Sequence, residues 1–229
     1  MFLKNAWYVA AWSSEVDRDL QQILVLGEKI CMYRSSDNEV VALEDACPHR
    51  KLPLSKGRIK NDGIECGYHG LTFNGLGNCI WAPGDGNIPP KAKVHAYPIH
   101  EKYDLIWIWM GNPELADIST IIDIPNFNNP EWGVNQGKAM ELNCNYLLMC
   151  DNLLDPTHVA WVHQSSFAQS ATKSAALNVT QTDEGYIVHR WMMDAEPAPF
   201  YKKIVEFEGN CDRLQHYEVR YPAHALIRA

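Results

Sequence analysis

The sequence predicts an α+β chain, with a small all-β unit first and a mixed helix-and-sheet unit after it. Three observations carry that reading. Short apolar stretches of strand length recur up to Met110, separated by turn residues. Gly111-Asn112-Pro113 breaks the pattern and reads as a boundary. Beyond it lies the best helix candidate, Asn143 to Leu154, followed by further strand-like stretches. The expected organisation is one domain over residues 1–110 and a second over 114–229, which the length accommodates.

Taken in order, Gln22 to Leu26 and Lys29 to Arg34 flank Gly27-Glu28, a pair that suits a two-residue hairpin. Ser36-Asp37-Asn38 is a turn before a strand at Val40 to Leu43. Asn61-Asp62-Gly63 and Asn74-Gly75 mark further turns. Ala82 to Pro90 holds three prolines and reads as a loop, and Tyr97 to His100 and Leu105 to Met110 are strands around a turn at Lys102 to Asp104. In the second part, Asn126 to Trp132 is a loop. The helix offers Leu147, Leu148, Cys150, Leu153 and Leu154 for a buried face, and Pro156 ends or bends it. Leu177 to Thr182 and Tyr186 to Met193 flank Asp183-Glu184-Gly185 as a hairpin, Leu214 to Tyr221 alternates, and Tyr217 to Ile227 continues as strand-like sequence.

Composition narrows the function. Of the 229 residues, 46% are hydrophobic and 21% charged, values of an ordinary globular protein rather than a disordered or collagen-like one. The longest apolar runs are far shorter than a membrane span needs, and the N-terminus lacks the basic and apolar segments of a signal peptide, so no membrane association and a cytoplasmic location are expected. A net charge of −8 argues against nucleic acid as a partner. Seven cysteines at irregular spacing do not form a disulfide framework; reduced thiols, some of them metal ligands, fit better.

Two constellations carry chemistry. Cys47-Pro48-His49-Arg50 and Cys66-Gly67-Tyr68-His69 each place a Cys and a His on one loop. Two thiolates and two imidazoles are the ligand set of a Rieske [2Fe–2S] centre. A structural zinc site accepts the same set, although zinc modules usually pair Cys with Cys and His with His. Later in the chain, Asp155-Pro156-Thr157-His158 is followed by His163. Asp155 and His158 are spaced to share a helical face. His163 lies about 140° around a regular helix from His158, so the pair converges only if the helix ends or bends. Two histidines in an apolar stretch are otherwise packing or surface residues.

The segments Cys47-Pro48-His49-Arg50, Pro53-Leu54-Ser55 and Cys66-Gly67-Tyr68-His69-Gly70 resemble the Rieske signature of aromatic-ring oxygenases. The opening Asn5-Ala6-Trp7-Tyr8-Val9-Ala10 resembles the branch that holds vanillate O-demethylase and the dicamba and toluenesulfonate methyl-group oxygenases. The resemblance implies an N-terminal all-β Rieske domain followed by a partial helix-grip (START-like) α+β catalytic domain. It implies Cys47 and Cys66 on the inner iron of the cluster and His49 and His69 on the outer. It implies that His158 and His163 hold a mononuclear Fe(II). Asp155 is then no ligand: it supports His158 and bridges it to His69 of a neighbouring subunit, on the electron path. Asn152 sits where the family lines the substrate pocket; as an ordinary helix residue it needs no such role. Cys31 and Cys79 match no ligand position and read as small buried hydrophobes.

The family's third iron ligand is a carboxylate far beyond the second histidine, and no acid before Ala229 matches it, so the chain reads as the N-terminal portion of a longer oxygenase. Arg50, Lys51, Lys56, Arg58 and Lys60 form an acid-free rim beside the first constellation, suited to steering an acidic electron donor or simply solvated. The function implied is a Rieske-type monooxygenase component, a homotrimer that hydroxylates or O-demethylates a small aromatic acid with dioxygen. Electrons would come from a separate NADH-dependent flavin and iron–sulfur reductase. The rival readings are a Rieske electron carrier, which would need only the first constellation, and a catalytically dead fragment that keeps its cluster.

Overall fold

The structure, a computed structural model, describes residues 2–229, which form two compact units meeting in sequence at Ile121 and Ile122. The first unit is built from ten strands: β1 (Ala6–Trp12), β2 (Gln21–Val25), β3 (Glu28–Arg34), β4 (Val40–Glu44), β5 (Arg58–Lys60), β6 (Gly63–Glu65), β7 (Thr72–Phe73), β8 (Cys79–Trp81), β9 (Ile99–Lys102) and β10 (Leu105–Met110). They pair antiparallel in three small sheets, β1-β10-β9, β2-β3-β4 and β5-β6-β7-β8.

Alternation in β3 explains how the sheets join. Ile30 and Met32 face one core with Ile106, Ile108 and Met110 of β10. Cys31 and Tyr33 face the other with Leu43, Leu54, Ile64 and Phe73, and that second core also encloses Cys47 and Cys66. A strand buried on both faces reads as a continuous apolar run rather than a polar–apolar alternation, as β3 does. The chain ends of the unit are clasped by side-chain amides and indoles. Asn5 Oδ1 accepts from Asn112 N at 2.8 Å, and Trp7 Nε1 and Trp109 Nε1 donate to the carbonyls of Asp117 and Asn112.

Three hairpins of this first unit turn on two residues, and in each both turn residues have positive φ: Leu26-Gly27, Asn61-Asp62 and Tyr103-Asp104. The first turn therefore lies one residue earlier than Gly27-Glu28. Glu28 pairs with Val25 inside the ladder, because the strand twist favours two consecutive left-handed residues at the turn.

The second unit carries α1 (Tyr146–Leu154), α2 (Val159–Val162), β11 (Asn178–Thr182), β12 (Gly185–Ala195), α3 (Pro199–Ile204), β13 (Cys211–Arg220) and β14 (His224–Arg228). The four strands form one antiparallel sheet in chain order. α1 packs against β12, β13 and β14. It begins at Asn145, whose side chain caps Leu147 N, and ends at Asp155 beside Pro156. Its expected buried face is only partly formed: no residue of α1 is buried, and Leu147 and Leu148 are 58% and 61% exposed. The strand-like run from Tyr217 to Ile227 is a hairpin, since β13 stops at Arg220 and β14 returns with Arg220 opposite His224.

Candidate functional site

The Cys47 and Cys66 loops are built alike. Cys47 N donates to Leu52 O at 2.9 Å and Lys51 N to Cys47 O at 2.8 Å; Cys66 N donates to Leu71 O at 2.8 Å and Gly70 N to Cys66 O at 3.0 Å. The fourth residue after each cysteine takes a left-handed conformation, Lys51 at φ 59° and Gly70 at φ 76°. Each loop thus closes on itself and raises its histidine to the surface while the cysteine stays in the core.

The donors are sorted accordingly. Cys47 and Cys66 are buried, at 2% and 3% exposure, with their thiols in contact. His49 and His69 are exposed, their rings 4.5 Å apart between centroids, and Tyr68 stacks on His69 at 3.9 Å. Burial pushes the Cys47 thiol up and the Cys66 contact adds to this, while backbone N–H groups of His49 and Arg50 directed at its sulfur pull it back. A metal cation would stabilise the thiolates that the apolar core otherwise disfavours. Two donor pairs at different depths suit a two-iron cluster, with thiolates inside and imidazoles outside. A cavity of about 480 Å³ opens beside the imidazoles, lined by Pro48, Leu71, Pro83 and Lys91 among others.

The basic rim is more neutralised than its sequence suggests. Buried Glu65 pairs with Arg58 and with Lys60, the latter at 2.7 Å, and Lys51 lies 3.6 Å from Glu44. Only Arg50 and Lys56 of the five lack an acidic partner among the described residues. Of the five cysteines outside the motif, Cys31 and Cys79 are buried as expected. Cys31 is fully buried and its thiol is pushed up to about 12, while Cys79 Sγ contacts Trp81 O.

In the second unit, Pro156–His158 is a 3-10 turn that Asp155 caps by accepting from Thr157 N at 2.8 Å. α2 follows for one turn, and His163 closes it at φ −111°, ψ 34°. That early end swings His163 back, leaving the His158 and His163 rings 5.3 Å apart. Pro156 starts the 3-10 turn; the convergence comes from the stop at His163. Hydrogen bonds from the Thr157 side chain and N–H hold the Asp155 carboxyl below the usual range, against its partial burial, with His158 and Arg190 adding positive potential. Among the described residues no three His, Cys, Asp or Glu side chains are drawn together as a metal-holding group, either around this pair or at the Cys47 and Cys66 loops. Both histidines, Asn152 and Leu153 line a cavity of about 270 Å³.

Sequence reasoning missed the polar interior of this unit. Arg190 is 2% exposed and donates to Gln215 Oε1 (2.7 Å), Thr172 O (2.6 Å) and Pro156 O (3.2 Å), bolting the Asp155 to His158 turn to the sheet. Arg213, Gln215 and Tyr217 occupy alternate, buried positions of β13. Their period of two was visible, but polar residues on an inward face do not register as a core pattern.

Both units resemble known proteins. Residues 6–98 match the model of the Rieske [2Fe-2S] domain, and 142–229 match the vanillate O-demethylase oxygenase C-terminal domain. The chain therefore belongs to the Rieske oxygenase family, in the branch of the vanillate, dicamba and toluenesulfonate oxygenase components. It is 39% identical to the iron–sulfur subunit of the toluene-4-sulfonate monooxygenase system of Comamonas testosteroni, over 97% of this chain and 65% of that one. It is 36% identical to the vanillate O-demethylase oxygenase subunit of Pseudomonas sp. strain HR199, over 99% and 65%. A crystal structure of dicamba monooxygenase bound to 3,6-dichlorosalicylic acid superposes with a TM-score of 0.91 at 32% identity, covering 99% of this chain and 67% of that one. The chain thus spans 65% of the length of those two curated relatives.

Proposed function

We propose that the chain acts within the oxygenase component of a Rieske-type monooxygenase that hydroxylates or O-demethylates a small aromatic acid. The observation that carries the reading is the sorting of donors: two matching loops bury their thiols and expose their imidazoles, and a second unit holds a converged histidine pair beside a cavity. Related oxygenase components are named for vanillate, dicamba and toluene-4-sulfonate, each an aromatic acid or its anion.

In this proposal Cys47 and Cys66 hold one iron of a [2Fe–2S] cluster and His49 and His69 the other. His158 and His163 give two ligands of a mononuclear Fe(II). When bound, the cluster supplies single electrons and the mononuclear iron supplies dioxygen activation. Asp155 stays anionic at neutral pH, so it can accept the ring N–H of His158 and of an imidazole approaching from a neighbouring copy, fixing both rings. Asn152 is among the residues lining the cavity, where substrate would lie. The proposal includes a homotrimer in the cytoplasm, with electrons arriving from an NADH-dependent flavin and iron–sulfur reductase. No helix among the described residues is long and apolar enough to cross a membrane.

The test is anaerobic reconstitution followed by iron, sulfide and zinc analysis with Mössbauer spectroscopy. Two irons in distinct ligand sets and two acid-labile sulfides at the N-terminal unit are expected; a colourless protein holding one zinc would overturn the reading.

A further inference from the structure

Arg213 is 6% exposed, and no carboxylate pairs with it among the described residues. Its Nη1 donates to Phe167 O at 2.7 Å and to Gln169 Oε1 at 3.3 Å, and its guanidinium lies over the Tyr201 ring at 4.8 Å. These contacts fix the plane of the group and use the donors of Nη1 alone. Nε is buried with no hydrogen-bond partner, and Nη2 has none among the described residues. The neighbouring strand carries a second buried guanidinium, Arg190, whose hydrogen bonds go to an amide and two carbonyls. Burial disfavours the charge of Arg190, the nearby Arg213 adds repulsion, and Tyr217 and Asp155 act the other way. The one buried carboxylate among the described residues of this unit, Glu218, is taken up by Arg220 and Arg228, so Arg190 and Arg213 have no buried anion of their own. An unpaired buried charge is costly, and a bound anion removes that cost.

The place where an anion fits is defined by the walls. Arg213 lines the cavity that His158 and His163 border, together with Phe167, Tyr201 and Tyr217. The Tyr217 hydroxyl has no partner among the described residues and adds a neutral donor to the same cavity. Arg213 also borders a second cavity, with Phe207 and Cys211, but neither histidine nor Tyr217 reaches that one. We infer that Arg213, assisted by Tyr217, is the receptor for the carboxylate or sulfonate group of the substrate. The acid group sits at this end of the cavity, the aromatic body lies against Phe167, and the carbon to be oxidised points to the histidine pair. This selects anionic over neutral aromatic compounds. It rests on the proposed oxygenase reading only for the reaction at the histidines, since anion selection needs no metal.

The test is equilibrium binding of 4-methoxybenzoate and its neutral isostere 4-methoxybenzamide, followed by tryptophan fluorescence, with and without Fe(II). The chain binds the acid roughly tenfold or more tighter than the amide, as a charge-assisted hydrogen bond implies. Arg213→Gln brings the two compounds within about twofold of each other, and Arg213→Lys keeps part of the preference. In the unaltered chain, the Arg213 side-chain ¹⁵N–H signals shift on adding the acid and not the amide, which decides the matter even where a variant fails to fold. Equal binding of both compounds, a preference unchanged in folded Arg213→Gln, or unmoved Arg213 signals overturns the inference. Failure to bind Fe(II) at His158 and His163 with the acid preference intact overturns the oxygenase reading instead and leaves this one standing.

Discussion

Cys66 sits 3% exposed beneath two exposed imidazoles, and its sulfur is one half of the buried donor pair. Cys66→Ser replaces a thiolate with a hydroxyl that remains protonated at neutral pH, so the variant is expected to emerge colourless, with iron and sulfide below a tenth of the parent by about the loss of one strong ligand. Asp155 differs from it in kind. Its carboxylate accepts from Thr157 N, and in the proposed role it supports His158 without being a ligand, so Asp155→Asn is expected to keep both metal contents while electron transfer between the centres falls roughly 10–100-fold. Single-turnover reduction, followed optically beside metal analysis, separates the two effects; normal transfer in the variant would remove Asp155 from the path. At this scale the sequence was informative for the Cys and His residues, whose chemistry is rare and spaced. It was silent on Arg213 and Arg190, because an arginine reads as surface until its burial is seen.

Elements place these residues through backbone geometry. Gly70 closes the Cys66 loop at φ 76°, and a Cβ there would lie 3.4 Å from the Trp81 ring, so space is available and the conformation is the obstacle. Gly70→Ala is expected to cost about 1–2 kcal/mol and to lower cluster retention during dialysis against chelator. Lys51 holds the matching position of the other loop without glycine, which sets that cost within what a loop tolerates. In the second unit, Arg190 ties β12 to the Pro156 and Thr172 carbonyls. Arg190→Met leaves buried acceptors unpaired, and the unit should lose about 2 kcal/mol or more in urea unfolding, at about 1–3 kcal/mol for each unsatisfied group. A variant as stable as the parent would show that water replaces the guanidinium.

Across the molecule, acid sensitivity follows from carboxylates held below their ordinary values. Hydrogen bonds from Arg34 and Ser13 hold Glu101 down against its partial burial. Burial alone would raise Glu218, but Arg220 and His216 more than offset it. A carboxyl depressed in the folded state contributes stability that is fully present above its unfolded value, near pH 4, and is lost as pH falls through the folded value. The urea midpoint should therefore hold from pH 7 to about pH 5 and decline below about pH 4. Glu101→Gln should flatten the part of that decline that belongs to the first unit. An unchanged midpoint down to pH 3, roughly, would show that these pairs contribute equally in the unfolded chain.

The sequence by itself determined the α+β class and most hairpins and set out the paired Cys/His and Asp/His spacings, because strand periodicity, turn residues and local spacing act over a few residues. It placed the first hairpin turn one residue late, since Leu26 accepts a left-handed conformation that propensity reserves for glycine, asparagine or aspartate. It made the run from Tyr217 to Ile227 a single strand, because both arms of that hairpin share one apolar pattern. Only the tertiary structure decided which donors lie deep and which lie exposed, how α2 ends soon enough to bring His163 back to His158, and that two arginines on adjacent strands face inward. Those are relations between residues far apart in the chain, and they are fixed by burial and by hydrogen bonds to distant carbonyls, which no local pattern encodes.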